Sequence, residues 1–165
     1  MREEGLRAGE CPFPRGVTLP SPVVATIFSK IIDGDLPGRF VWADDRAVAF
    51  LSINPLGPGH VLVVPREEVD QWVDASPGLF EHVMGVAHAV GTVLRDLWSP
   101  PRVALMIAGF EVPHLHVHVH PAWGLEAFDF AQAESDPDPD AMDAHAESIR
   151  AGLRDAGHGD HVPSA

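Results

Sequence analysis

Between Ser76 and Trp98 the apolar residues Leu79, Phe80, Val83, Met84, Val86, Ala87, Val90, Val93, Leu94 and Leu97 recur at three-to-four spacing, the period of an amphipathic helix. Ser76 is suited to cap that helix and Pro77 to open its first turn. Shorter apolar runs bounded by turn formers read as strands: Arg39 to Trp42, Ala47 to Leu51, His60 to Pro65, Val103 to Ile107 and Pro113 to His120. The polar step Ala43-Asp44-Asp45-Arg46 is short enough to make a hairpin of the first two. Thr26 to Ile32 fits a short helix stopped by Asp33-Gly34-Asp35-Leu36-Pro37-Gly38, and Ala141 to Leu153 fits a final helix. About five strands and one long helix predict an α+β fold. Whether the last helix packs on the domain or on a partner is left open.

Composition narrows this picture. A chain of 165 residues with 45% hydrophobic and 21% charged residues suits one compact domain with some peripheral sequence. The expected division is a flexible arm over residues 1–24, a domain over 25–125, and an acidic linker, C-terminal helix and tail over 126–165. No apolar run approaches the ~20 residues of a membrane helix, and the charged stretch Met1 to Glu10 does not read as a signal peptide, so a cytoplasmic protein is expected. Cys11 is the single cysteine, which excludes an internal disulfide and a Cys-rich zinc module. The net charge of -13 opposes docking onto nucleic acid or an anionic membrane, while leaving a small anionic substrate open.

Four of the ten histidines fall within seven residues, His114, His116, His118 and His120, alternating with Leu115, Val117 and Val119. In a strand that alternation puts the imidazoles on one face and the aliphatics on the other. A core does not collect imidazoles in a row, because each buried ring nitrogen needs a partner and burial disfavours the charged form. A solvated strand and a metal site are the alternatives; the second lacks a companion cluster of Cys, Asp or Glu at ligand spacing.

The run Gly109-Phe110-Glu111-Val112-Pro113-His114-Leu115-His116-Val117-His118-Val119-His120-Pro121 resembles the signature of the histidine-triad (HIT) family, His-x-His-x-His followed by apolar positions. Phe50-Leu51-Ser52-Ile53-Asn54-Pro55 with Gly59-His60-Val61-Leu62-Val63-Val64-Pro65 is similar to the family's other recurring segment, and with Phe28 to Asp35 the likeness spans residues 25 to 123. It implies hydrolysis of a nucleoside phosphoramidate or dinucleoside polyphosphate, with transfer or phosphorolysis, or binding without catalysis, as alternatives. His116 would attack the α-phosphorus and carry the nucleotide covalently. His118 and His60 would hydrogen-bond phosphate oxygens or the leaving group, and His114 would brace the site. Ser52, Ile53, Asn54, Gly109, Phe110, Glu111, Val112 and Trp123 would contact substrate, with backbone N–H groups near the triad stabilising phosphoryl charge. The family also implies a homodimer, a small-molecule nucleotide as partner and no cofactor.

Departures from the family pattern shape these expectations. Relatives with a structural zinc carry Cys-x-x-Cys before the first helix and a histidine after Pro65; here those positions are Thr26, Ser29 and Glu68, so no metal is expected. Ser52 stands where relatives have a ribose-binding acid, Phe110 where they have Gln, and His120 where they have an apolar residue.

Overall fold

A computed structural model describes residues 25–164. The expected flexible arm over residues 1–24, with Cys11, lies outside the described residues. In chain order the elements are α1 (Ile27–Ile32), β1 (Phe40–Ala43), β2 (Ala47–Leu51), β3 (Val61–Pro65), α2 (Pro77–Trp98), β4 (Arg102–Met106), β5 (Val117–Ala122) and α3 (Pro139–Leu153), with short 3-10 turns at Leu125–Phe128 and Phe130–Gln132. The five strands form one antiparallel sheet in the order β1-β2-β3-β5-β4. The α+β fold read from the sequence is the fold observed, with the long helix at its expected limits and Ser76 accepting a hydrogen bond from Leu79 N–H.

The two faces of the sheet follow from alternation. Ala47, Ala49, Leu51, Val61, Val63, Val117 and Val119 point to the face covered by α2 and α3, where they form one core with Val83, Val90 and Leu94. Val48, Phe50, Leu62 and Val64 point to the other face and pack with Phe28 of α1. Alpha3 is part of the first layer: Met142, Ala146, Ile149 and Leu153 are buried in the same core. The open question of where the C-terminal helix docks is thereby answered within the chain.

Strands β1, β3 and β4 differ from expectation by a single residue at their ends, and β5 differs by more. The last strand begins at Val117 rather than Pro113. Pro113 has no N–H to offer a ladder, and the chain ahead of it turns at Gly109, whose φ of +73° is left-handed. His114 and Leu115 bond instead to Val112 O and Val69 O. At its other end β5 runs on through Pro121 to Ala122, past Val119 where its register with β3 stops.

Among the described residues no helix is long and apolar enough to cross a membrane.

Candidate active site

Strand β5 and the bend before it carry the histidines onto the face opposite α2. His118 lies across from Leu62, and His120 across from Ala104. His60 arrives at the entrance of β3 through Gly59, whose φ is +66° and where a Cβ would meet the Trp98 ring at 2.6 Å. Only glycine permits that backbone conformation against that ring. The ring centroids of His116 and His118 are 5.0 Å apart, those of His60 and His118 5.2 Å, and those of His60 and His120 4.9 Å. Phe28 packs edge-on to His116 at 4.9 Å.

Hydrogen bonds fix the tautomers. His116 Nδ1 is 2.7 Å from the carbonyl of His114. A carbonyl only accepts, so Nδ1 holds the proton and the lone pair is on Nε2, which has no hydrogen-bond partner among the described residues. Leu56 N–H donates to His60 Nδ1 at 3.0 Å, so the proton of a neutral His60 is on Nε2, from which it is donated to His118 Nδ1 at 3.0 Å. His118 therefore presents Nε2–H. The site thus offers one nucleophilic nitrogen and, beside it, one N–H donor.

Burial keeps these rings neutral. It pushes His60 down to about 2 and His118 to about 4, with neighbouring imidazoles adding to the shift in each. Burial also lowers His116, against the opposing pull of its bond to the His114 carbonyl, and lowers His120. An unfolded chain takes up these protons around the ordinary histidine value of 6.5, whereas the folded protein does not until the pH is lower. Stability is then complete above that value and is lost as pH falls through and below it. The urea midpoint is expected to drop between about pH 7.5 and about pH 5, where most carboxylates stay ionised; a flat or rising midpoint contradicts the neutral assignment.

His114 is fully buried and both its ring nitrogens are engaged: Nε2–H donates to Pro65 O at 2.8 Å, and Nδ1 lies 2.8 Å from Thr26 Oγ1. Thr26 Oγ1 is 3.0 Å from Ser29 Oγ, which donates to Glu68 Oε1. The four positions that hold zinc in some relatives do come together here, but as a hydrogen-bonded string of hydroxyls, a carboxylate and a histidine with no lone pair to spare. This set does not fit a zinc ion. What it does is hold His114, whose carbonyl holds His116.

A cleft of about 760 Å³ opens in front of the histidines. Of the residues anticipated from sequence, His60, His116, His118, Ser52, Ile53, Asn54, Glu111 and Val112 line it. His114, Gly109, Phe110 and Trp123 do not; Phe110 is 97% exposed, and Trp123 is half exposed beyond β5. The Ser52 hydroxyl is turned to its own loop, donating to Asn54 O at 3.2 Å and accepting from Asn54 N–H at 3.3 Å. Among the described residues no group takes the N–H of Phe110, Glu111 or Val112, and of these Glu111 and Val112 belong to the cleft lining with His116 and His118. The remaining walls were not anticipated: Phe28, Ile31, Pro37 and Phe50 make an apolar slot, and Arg39, Phe130, Ala133 and Asp143 close its other side. Phe28 and Phe50 stand in the sequence inside the segments of family likeness without a role in the site, while Phe130 lies in the acidic stretch and Asp143 in the final helix, neither of which carries a motif.

His120 is fully buried, its Nδ1–H directed to Pro121 O at 3.1 Å and its Nε2 without a partner among the described residues. It adjoins His60 and lies outside the residues lining the cleft.

The model of the HIT domain matches residues 33–123. An uncharacterized HIT-like protein of Borreliella burgdorferi is 36% identical over 111 residues, covering 63% of this chain and 80% of its own. Among solved structures, a Hit-like protein of Bartonella henselae, described as involved in cell-cycle regulation, superposes with a TM-score of 0.69 at 26% identity over 77% of this chain and 95% of its own. A zinc-bound histidine triad family protein of Mycobacterium smegmatis shares the fold, with a TM-score of 0.68 at 24% identity over 81% of this chain and 96% of its own.

Proposed function

Because the chain belongs to the HIT family, we propose that it hydrolyses a nucleoside phosphate derivative, a phosphoramidate or a dinucleoside polyphosphate, through a nucleotide carried on His116. The observation that carries this reading is the free Nε2 of His116 beside the Nε2–H of His118 at the foot of a nucleoside-sized cleft. His116 Nε2 forms a bond to the α-phosphorus as the bond from phosphorus to the leaving group breaks, and the leaving atom takes a proton drawn from solvent. Water then breaks the N–P bond and gives up one proton, so the sum is one water consumed per nucleotide released. The positive charge that develops on the substituted imidazole is stabilised through Nδ1–H and the His114 carbonyl, which is already in place. His118 Nε2–H and the free N–H groups of Glu111 and Val112, two residues of the cleft lining, supply donors for the phosphoryl oxygens.

The slot of Phe28, Ile31, Phe50 and Ile53 supports seating of a base, and Ser52, engaged with Asn54, offers the sugar a neutral contact only. The purified chain is expected to release a nucleoside monophosphate from a purine nucleoside 5′-phosphoramidate. Equal rates from the protein and from His116→Ala would remove the assignment.

A homodimer belongs to the same reading. Beta4 is an edge of the sheet, and Leu105 on it, with Trp123 and Leu125 just past β5, is exposed. Sedimentation at micromolar concentration is expected to give a dimer that Leu105→Glu weakens; a monomer throughout would exclude it.

A further inference from the structure

The acidic stretch after Gly124 folds along one wall of the cleft. Phe130 stands edge-on to the His118 ring at 5.1 Å, and Glu134 N–H donates to Pro55 O at 3.0 Å, which pins the stretch to the loop after β2. Alpha3 then brings Asp143 to the rim, where Arg39 Nε donates to its Oδ1 at 2.5 Å. Arg39 is the only Lys or Arg among the described residues that line the cleft.

Strand register locates this pair. His118 lies across from Leu62, Leu62 from Phe50, and Phe50 from Phe40, the neighbour of Arg39. Three strand spacings of ~4.8 Å separate that position from His118, roughly 14 Å. A nucleoside monophosphate reaches roughly 10 Å from phosphorus to the outer edge of its base, and a hydrogen bond of ~3 Å at its end spans most of the rest. A nucleotide with its phosphorus at His116 would place its base in the apolar slot, with the far edge directed toward Arg39 and Asp143.

We infer that Arg39 and Asp143 read the outer edge of the base and that the base they select is guanine. The inference rests on the nucleotide reading of this cleft. Among the described residues, Asp143 Oδ2 and Arg39 Nη1 have no other partners, which leaves a carboxylate acceptor beside a guanidinium donor. Guanine presents adjacent N1–H and N2–H donors to a carboxylate and a carbonyl O6 to a guanidinium. Adenine has an acceptor at N1, and set against the carboxylate it opposes lone pair to lone pair.

The test is calorimetric titration of the full chain with GMP and with AMP. Asp143 and Arg39 lie at the surface rim and outside the core, so Asp143→Ala and Arg39→Ala leave folding to the same buried residues. GMP is expected to bind on the order of ten-fold more tightly than AMP, and Asp143→Ala to bring the two within about two-fold by weakening GMP alone. Equal affinities, tighter AMP, no binding of either, or a preference that survives both variants would overturn the inference. Titration breaks no bond: a protein that selects GMP but hydrolyses nothing fails as a hydrolase and keeps this specificity. Turnover with no base preference has the opposite meaning.

Discussion

Replacement of His116 by Ala is expected to lower kcat on a nucleoside phosphoramidate by on the order of 10⁴-fold or more, with the fold intact. The size of the effect follows from the hydrogen-bond pattern around the other imidazoles. His60 has Nδ1 on Leu56 and Nε2 on His118, and His118 has Nδ1 on His60. His114 has both nitrogens engaged with Thr26 and Pro65. None of these three rings therefore has a lone pair to place where the Nε2 of His116 was, and His120, whose Nε2 carries one, lies outside the cleft lining. His118→Ala removes a donor and leaves the nucleophile, so its loss is expected to be smaller, about 10²- to 10³-fold. Steady-state rates on both variants check the order; a larger loss for His118→Ala would assign the leading role wrongly.

Ile149→Ala is expected to cost about 2 to 5 kcal/mol of stability, a large share of what a domain of this size has. Ile149 is completely buried, in one core with residues of α2 and of the sheet. Truncation there leaves a cavity between two layers that cannot readily close, since Ala146, Leu153 and Met142 of the same helix are buried in that core. The urea midpoint measures the loss. A shift worth less than about 1 kcal/mol would make α3 a peripheral attachment. The same helix brings Asp143 to the cleft, so this variant is also expected to weaken nucleotide binding.

How much of this was legible in the sequence depended on whether the signal was local. The long helix was read to its ends because ten apolar positions, a capping Ser76 and Pro77 all agree within one window. The shared face of His118 and His120 followed from strand alternation, while the start of that strand did not. Pro113, Gly109 and the bond from Leu115 N–H to Val69 O redirect the chain, and the last of these joins residues far apart in sequence. His60 was placed at a strand entrance from its turn residues. Its hydrogen bond to His118 depends on β3 lying beside β5, which periodicity alone does not reveal. The walls of the cleft were the least legible. Phe130 and Asp143 reach it because Glu134 binds Pro55 and α3 docks on α2, both long-range events, and Arg39 gains meaning only beside Asp143. Thr26, Ser29 and Glu68 stood out as substitutions; that they form a string with His114 needed coordinates.

The central claim is a covalent nucleotide on one nitrogen. The most direct measurement mixes the protein with a purine nucleoside phosphoramidate or dinucleoside polyphosphate, quenches within the turnover time in mild alkali, and maps the peptides by mass spectrometry. The account expects the mass of a nucleoside monophosphate on the peptide segment at His116, released by mild acid and absent from His116→Ala. Turnover without any adduct, or an adduct that persists in His116→Ala, would contradict it.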